Sequence, residues 1–194
     1  MTTETLMKSL AIPFDLTTGL APHVRPIQRR LTAMQGIYAD AEAFARRVAQ
    51  TDPLVYEFYD MHLPERAGDV AFGTTITYPG KVGDEYFMTK GHFHSVLDTG
   101  EVYYCLRGNG YMLMENPEGD WEARVMTPGM AVYVPGRYAH RSINTSATEP
   151  LLSFFAFRAD AGHDYGTIET KGFRKLVVDD HGRPAVIDNP RWKA

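Results

Sequence analysis

The sequence predicts an all-β protein, a barrel or sandwich preceded by an extended arm and one short helix. Nine short runs rich in β-branched and aromatic residues recur between residues 54 and 158, and Gly, Pro, Asn and Asp separate them. Runs of this length and spacing are typical of antiparallel sandwiches and barrels. The 194 residues, 44% of them hydrophobic, suit one compact domain with a sizeable core.

Residues 1–53 predict the arm and the helix. Asp40 is a suitable N-cap for the run AEAFARRVAQ, which places Phe44 and Val48 one turn apart on the same face. We expect the helix to end before Pro53, because a residue that precedes proline disfavours helical backbone.

Residues 54–158 form the predicted barrel core. Its strands correspond to the runs LVYEFYDMHL, AFGTTITYPG, EYFMTKGHFH, EVYYCLRG, YMLMENP, EARVMTP, MAVYVPG, HRSINTS and LLSFFAFRA. Residues 159–194 complete the single domain of residues 1–194 with a C-terminal segment and a hairpin around Asp180–Gly182.

Charge and composition exclude several classes of partner. The net charge of -4 provides no basic excess that would neutralise nucleic-acid phosphates, although a small anionic substrate needs only local donors. No stretch approaches the roughly 20 apolar residues of a membrane span, and the N-terminus does not resemble a secretory signal. Cys105 is the one cysteine, so no intrachain disulfide forms. These features predict a soluble, cytoplasmic protein.

Three histidines and one glutamate form a candidate metal site. Because strand side chains alternate, His92 and His94 share one face of their predicted strand, and Glu101 shares a face with Tyr103 on the next. His140 follows the run GMAVYVPGRYA. Three imidazoles and a carboxylate suit Fe(II), Mn(II), Ni(II) or Zn(II), and they leave positions open for a substrate. A His-x-His pair alone is a weak signal, since exposed strand histidines are common.

The spacing of these residues resembles the two motifs of the cupins. The first reads His92-x-His94-x6-Glu101-x6-Gly108, and the second reads Gly129-x5-Pro135-x4-His140-x3-Asn144. The six-residue gap before Glu101 is longer than usual, and Arg137 stands in place of the usual glycine. The resemblance implies a cupin barrel, that is, a double-stranded β-helix or jelly roll.

Longer stretches resemble one cupin family in particular, the metal-dependent cupin-type phosphoglucose isomerases of archaea and some bacteria. The matching stretches are DPLVYEFY, TTITYPGKVGDEYFMTKGHFH, GEVYYCLRGNGYMLMENPEGD, PGMAVYVPGRYAHRSIN, DAGHDYGTI and NPRWK. The resemblance implies a homodimeric enzyme that interconverts glucose 6-phosphate and fructose 6-phosphate in glycolysis and gluconeogenesis. It also implies one divalent ion per subunit, with iron(II) expected first and zinc, manganese or nickel as alternatives.

The same resemblance assigns roles to eleven residues. The implied metal ligands are His92, His94, Glu101 and His140; the implied catalytic residues are Glu101, His163 and Tyr103; and the implied substrate contacts are Tyr56, Thr75, Thr89, Gly91 and Tyr165. From the residues alone, plain β-propensity is the first interpretation of the threonines, and core packing is the first interpretation of Tyr56 and Tyr103. Phe157 departs from the family, whose archaeal members carry a tyrosine near the end of this strand.

Several alternatives remain open at this level. His163 lies in a polar, glycine-bearing segment that is either an ordinary connection or a cover across the barrel mouth. Isomerisation follows either an enediol route, with Glu101 as the base, or a direct hydride shift. Two other functions suit a cupin with this ligand set: an Fe(II) dioxygenase and a sugar-phosphate-binding protein without catalysis.

Overall fold

The computed structural model of the protein describes residues 8–192, and most of its regular structure is antiparallel strand. The strands are β1 (Ile27–Arg30), β2 (Leu54–Asp60), β3 (Val70–Thr77), β4 (Lys81–Val82), β5 (Glu85–Tyr86), β6 (Glu101–Arg107), β7 (Gly110–Glu115), β8 (Trp121–Met126), β9 (Ala131–Val134), β10 (Ala139–Asn144), β11 (Leu151–Arg158), β12 (Lys175–Asp180) and β13 (Arg183–Asp188). The helices are a 3-10 turn (Leu31–Met34), α1 (Ala41–Gln50) and α2 (Gly166–Lys171).

The strands form three sheets whose order interleaves distant parts of the chain. A six-stranded sheet runs β1-β2-β3-β11-β6-β9, a three-stranded sheet runs β10-β7-β8, and a four-stranded sheet runs β13-β12-β5-β4. Strand β11 lies between β3 and β6, so the last barrel strand pairs with two much earlier ones. The predicted fold class, an all-β cupin barrel with an N-terminal arm and a short helix, is confirmed.

Alternation along β6 builds the barrel interior as the sequence predicts. Glu101, Tyr103 and Cys105 are buried, whereas Val102 and Tyr104 between them are 42% exposed. Across the sheet, Glu101 is opposite Phe157 and Tyr103 is opposite Phe155. One face of the six-stranded sheet therefore turns a mixed polar and aromatic surface towards the interior.

The N-terminal region contains both the predicted helix and one strand that the sequence did not reveal. The Asp40 carboxylate accepts a hydrogen bond from the Ala43 N–H at 2.8 Å, so the predicted cap is confirmed. Phe44 and Val48 are partly buried and pack against the hydrophobic core. Strand β1 extends the six-stranded sheet by pairing with β2. The first seven residues of the predicted arm lie outside the described part of the chain.

The strand predicted over residues 85–94 is correct only at its beginning. Regular strand ends at Tyr86, and His92 and Phe93 form isolated β-bridges instead. Gly91 interrupts the predicted strand, because its φ of +78° lies outside the extended region. A Cβ at this position would lie 2.7 Å from the Phe173 ring and 3.0 Å from the His140 carbonyl oxygen, so glycine is required.

The C-terminal segment closes the structure with the predicted hairpin. Strands β12 and β13 pair in register from Lys175–Asp188 to Asp180–Arg183, and Gly182 in the turn has a φ of +84°. Residues 193–194 of this segment are not described. Within residues 8–192, neither helix has the length or apolar character needed to cross a bilayer.

Candidate functional site

Three histidines and one glutamate meet in the barrel interior. One ligand-type atom from each of His92, His94, Glu101 and His140 lies within 4.8 Å of the others. We call these four residues the ligand set. His92 and His94 come from the irregular segment after β5, and His140 comes from β10, to which that segment is bridged. Glu101 comes from β6 in the six-stranded sheet, so different sheets contribute to the set.

Two ring nitrogens of the ligand set, His92 Nε2 and His140 Nε2, are buried without a hydrogen-bond partner in the described chain. Glu101 Oε2 lies 2.9 Å from His140 Nε2 and 3.1 Å from His94 Nε2. Although the first distance is short, its angles do not fit a hydrogen bond, and His140 Nε2 has no other partner within residues 8–192. His92 Nε2 is likewise buried there without a partner. Buried polar atoms without partners are rare and need an explanation.

Carbonyl oxygens behind two of the rings explain how these nitrogens are oriented. His94 Nδ1 lies 3.2 Å from the Gly162 oxygen, and His140 Nδ1 lies 3.3 Å from the Tyr138 oxygen. An Nδ1–H that donates to a carbonyl leaves Nε2 as a lone pair, which then faces the Glu101 carboxylate. Opposed lone pairs repel unless a cation lies between them. The residues present therefore fit a divalent cation.

Burial and neighbouring groups keep two members of the ligand set, Glu101 and His92, in the protonation states that metals require. Burial raises the pKa of Glu101, but the neighbouring His140, His94 and His92 outweigh it, and the net pKa lies well below the usual range. Burial, followed by repulsion from His140 and His163, lowers the pKa of His92 well below its usual value. A carboxylate and a neutral imidazole are the forms that coordinate metals.

The ligand set opens into a pocket in the barrel interior. Every residue that the sequence predicts for the site, except His94, lines this pocket. Its walls are Tyr56, Phe58, Asp60, Thr75, Thr89, Gly91, His92, Glu101, Tyr103, His140, Ser142, Phe155, Phe157, His163 and Tyr165. His94 is 3% exposed and lies behind this surface, in contact with the Phe157 ring at a centroid distance of 5.2 Å.

A second group of pocket residues offers neutral hydrogen-bond donors. We call Tyr56, Thr75, Thr89, Gly91 and Tyr165 the donor set. Tyr56 lies on β2 and Thr75 on β3, Thr89 and Gly91 lie in the segment before His92, and Tyr165 precedes α2. Burial and the neighbouring Tyr165 raise the pKa of Tyr56 to about 12, so its hydroxyl stays protonated. The donor set therefore carries no formal charge.

Two further hydroxyl and imidazole groups lie close to the ligand set. Burial, followed by the Glu101 charge, raises the pKa of Tyr103 well above its usual value, so this phenol also stays protonated. Burial lowers the pKa of His163. The His163 ring lies 4.4 Å from His92 and 5.8 Å from Tyr165 between centroids.

The segment that carries His163 folds across the barrel mouth. Val96 N–H donates to the Ala161 oxygen at 2.8 Å, and Phe93 and Asp164 form a two-way β-bridge. Of the two interpretations that the sequence leaves open for this segment, the structure has the cover, not the ordinary connection. The cover places His163 and Tyr165 over the pocket.

Four pocket residues were missed by sequence reasoning: Phe58, Asp60, Ser142 and Phe155. Alternation gives a signal for three of them. Phe58 and Asp60 follow Tyr56 at two-residue intervals on β2, and Ser142 lies two residues beyond His140 on β10. Asp60 matters most chemically, because it is a second carboxylate of the pocket and its charge acts on His163.

Lys90 lies between two members of the donor set but its ammonium points elsewhere. Lys90 Nζ forms an ion pair of 2.8 Å with Glu169 on α2. Lys90 therefore does not line the pocket, although its two sequence neighbours Thr89 and Gly91 do.

Comparison with known proteins gives concordant matches over nearly the whole chain. Residues 28–193 match the sequence profile of the family described as Glucose-6-phosphate isomerase (GPI). The glucose-6-phosphate isomerase of Thermococcus gammatolerans is 47% identical over 185 residues, which cover 95% of this chain and 97% of that protein. That of Pyrococcus furiosus is 48% identical over 182 residues, covering 94% and 96%. A bacterial one, from Sinorhizobium medicae, is 41% identical over 192 residues, covering 97% and 89%.

Proposed function

The chain belongs to the glucose-6-phosphate isomerase family, and from this we propose that it interconverts D-glucose 6-phosphate and D-fructose 6-phosphate with the help of a divalent metal ion. The observation that carries the metal dependence is the convergence of His92, His94, Glu101 and His140 within 4.8 Å. The unpartnered ring nitrogens of His92 and His140 support it, because a cation would satisfy both.

The ligand set would hold the ion through imidazole nitrogens and one carboxylate oxygen. When bound, a divalent ion there supplies Lewis acidity to the oxygens at C1 and C2 of the substrate. Iron(II) is our first expectation, and zinc, manganese and nickel suit the same ligands. Metal analysis of protein purified without added metal identifies the ion.

The donor set would hold the phosphate group. Thr75, Thr89, Tyr56 and Tyr165 offer hydroxyl donors, and Gly91 offers a backbone N–H. Several neutral donors around one anion each contribute a charge-assisted hydrogen bond, which is stronger than a neutral one. Ser142 adds to this region, because its N–H donates to the Thr89 hydroxyl at 3.1 Å and so fixes that side chain.

Glu101 is the residue that we propose for moving the proton between C1 and C2. Its depressed pKa keeps it ionised, and it borders the pocket beside the Tyr103 phenol. A carboxylate that is tightly bound to a metal cannot also act as a free base. We therefore propose that Glu101 binds the metal weakly and leaves it when it takes up the proton. His163 and Tyr103 then donate to and accept from the sugar hydroxyls.

Isomerisation in heavy water tests this assignment. Transfer through Glu101 exposes the migrating hydrogen to exchange, so we expect solvent deuterium at C1 of fructose 6-phosphate or C2 of glucose 6-phosphate. A hydride shift moves the hydrogen directly between carbons and leaves both positions unlabelled. A product free of deuterium at every stage of conversion would contradict the role of Glu101 as the base.

A coupled assay with fructose 6-phosphate tests the function itself. We expect turnover, its loss after EDTA treatment, and its return when one of several divalent ions is added back. Turnover under strict anaerobiosis distinguishes an isomerase from a dioxygenase, because only the dioxygenase consumes oxygen. Binding of fructose 6-phosphate without turnover would instead support a sugar-phosphate-binding protein.

We also propose that the protein is a homodimer. Exposed apolar side chains support this: Val102 and Tyr104 on β6 are 42% exposed, and Tyr133 on β9 is 65% exposed. Val102 pairs with Tyr133 in register, so these side chains share the outer face of the six-stranded sheet. Light scattering coupled to size exclusion measures the state directly, and Tyr133→Asp should shift it towards the monomer.

A cytoplasmic location remains part of the proposal. It is supported by the phosphorylated substrate proposed here and by the buried free thiol of Cys105. Fractionation of cells that produce the native protein tests it.

A further inference from the structure

The segment that carries Thr89 and Gly91, two members of the donor set, rests on a buried arginine whose side chain does not line the pocket. Arg141 lies between His140 and Ser142 on β10 and is only 2% exposed. We propose that Arg141 is a positioning residue for the substrate phosphate: it orients the Lys90–Gly91 peptide so that the Gly91 N–H faces the pocket and binds the anion. This inference rests on the proposed function, because it takes the bound anion to be the phosphate of the sugar.

Contacts around the guanidinium fix it beneath this loop. Arg141 Nη2 donates to the Lys90 carbonyl oxygen at 2.6 Å, and Nη1 lies 2.9 Å from the Met88 sulfur. The Phe173 ring covers one face of the guanidinium at 4.0 Å from Cζ to the centroid. The Arg141 side chain therefore extends from β10 and holds the segment before His92 through a hydrogen bond to the Lys90 carbonyl oxygen.

Because the Lys90–Gly91 peptide is trans, the hydrogen bond to the Lys90 carbonyl also sets the direction of the Gly91 N–H. The carbonyl of Lys90 and the N–H of Gly91 belong to one planar unit and point in opposite directions. Since the carbonyl is held towards the buried guanidinium, the N–H points away from it, and Gly91 lines the pocket. Within residues 8–192, no carbonyl or side-chain oxygen accepts a hydrogen bond from this N–H. The donor is thus free for a ligand.

Charge adds to orientation. No carboxylate oxygen in the described chain lies within 4.0 Å of the Arg141 guanidinium, although Glu85 and Glu115 act on it from farther away. The Arg141 guanidinium is buried and carries a positive charge, as arginine does in proteins. A buried cation without a direct counter-ion is costly. A charged donor on the Lys90 carbonyl polarises the peptide and strengthens the Gly91 N–H as a donor to an anion.

The backbone at Gly91 is shaped for this arrangement. Its φ of +78° turns the peptide, and the Phe173 ring that covers Arg141 also lies against the Gly91 Cα side, where a Cβ would come within 2.7 Å. Arg141, Phe173 and Gly91 therefore pack as one layered unit. The backbone of His92 is held by a different hydrogen bond, from its N–H to the His140 carbonyl oxygen at 3.3 Å. We therefore expect metal binding not to depend on the Arg141 side chain.

Substitution of Arg141 by methionine and by lysine tests the proposal. Arg141→Met keeps the length of the side chain but removes the charge and the donor to Lys90. We expect the KM for fructose 6-phosphate and the Kd for inorganic phosphate, measured by calorimetry, to rise together by about 10- to 100-fold. We expect metal content to stay at the wild-type level and kcat to change less than about threefold, a split that a general loss of structure would not produce.

A second, largely buried arginine provides a matched control. Arg174 also stacks on an aromatic ring, at 4.6 Å from Trp192, and also donates to a carbonyl, that of Asn116 at 2.9 Å. Its guanidinium hydrogen-bonds to Glu115, Asn116 and Pro117, and not to the Lys90 carbonyl. Arg174→Met should therefore lower the melting temperature while leaving the KM and the phosphate Kd unchanged.

If Arg141→Met does not fold, Arg141→Lys decides the question. A compact ammonium cannot reproduce the fork that reaches both Met88 and Lys90, so we expect the same rise in KM and phosphate Kd, by at least about threefold. Wild-type values of both constants in either folded variant would overturn the proposal, and so would metal loss in proportion to the lost phosphate affinity. The calorimetric arm needs no turnover: if the wild type binds phosphate but does not isomerise fructose 6-phosphate, the proposed function fails while the role of Arg141 in anion binding is still measured.

Discussion

The ligand set and the donor set line one pocket but are built on different principles. The ligand set consists of His92, His94, Glu101 and His140, ionisable residues that are costly to bury and whose convergence has no purpose without a cation. The donor set consists of threonines, tyrosines and a glycine that any β barrel uses. Coordination by the first is collective, whereas the hydrogen bonds of the second add one by one. Loss of one ligand should therefore be severe, and loss of one donor should be mild.

His140→Ala gives the largest expected effect. Removal of one imidazole leaves an incomplete ligand set around the Glu101 charge, so we expect loss of the metal and roughly a thousandfold loss of kcat/KM. Metal analysis and the coupled assay are measured on the same sample. His181→Ala is the control, because its side chain is 99% exposed in the β12–β13 turn. A His140→Ala protein that keeps both metal and activity would show that the ligand set is misassigned.

Glu101→Gln sharpens the comparison by separating charge from shape. If Glu101 moves the proton, kcat should fall by roughly 100-fold or more, even where excess metal restores occupancy. Asp60→Asn is the matched variant, because Asp60 is the other carboxylate of the pocket. We expect it to lower kcat less than about tenfold. The reverse order of the two effects would transfer the role of base to Asp60.

His163→Ala examines a residue that contacts the ligand set without belonging to it. Its ring lies 4.4 Å from His92, yet its atoms are not part of the convergent group. We expect unchanged metal content and a loss of kcat of about 10- to 100-fold. His62→Ala serves as the control, because His62 lines only the neighbouring cavity, which His163 and Phe157 also border. Loss of metal from His163→Ala would place this residue among the ligands.

Thr75→Val examines a single member of the donor set. Loss of one hydroxyl that binds the phosphate should raise the KM about fivefold to tenfold, with kcat and metal content unchanged. Thr74 is a close control on the same strand, since it faces the other side and donates to the Gly19 oxygen at 2.6 Å. Thr74→Val should cost about 1 kcal/mol of unfolding free energy and leave the KM alone. Equal KM values for the two variants would remove Thr75 from the donor set.

Phe157→Tyr has the smallest expected effect. The ring already contacts His94 and His163, at centroid distances of 5.2 Å and 5.5 Å, and the substitution only adds a hydroxyl. We expect kcat/KM to change by at most about fivefold, the size of one hydrogen bond. Steady-state kinetics on the two proteins measures it. A gain well above tenfold would show that the tyrosine of the archaeal relatives contributes a donor that this chain lacks.

Local patterns in the sequence predict much of this structure. Alternation predicts the buried face of β6, the Asp40 cap predicts the start of α1, and the turn residues predict the C-terminal hairpin. The ligand set can also be recognised in the sequence, because histidines spaced in this way with a glutamate are uncommon in strands without a function. The alternation, the cap and the turn depend on residues within a few positions of one another, so the sequence alone determines them. The ligand set spans residues 92 to 140, so the sequence indicates its members but not how they meet.

Tertiary structure decided what depends on distant pairing. Position 91 requires glycine because the Phe173 ring, 82 positions later, occupies the space that a side chain would need. Glu101 reaches the histidines from the six-stranded sheet, while His140 lies in the three-stranded one. Ser142, Asp60 and Arg141 acquire their positions in the same way, from contacts between elements far apart in the chain. A strand pattern states which residues share a face, but only the packed barrel determines what that face meets.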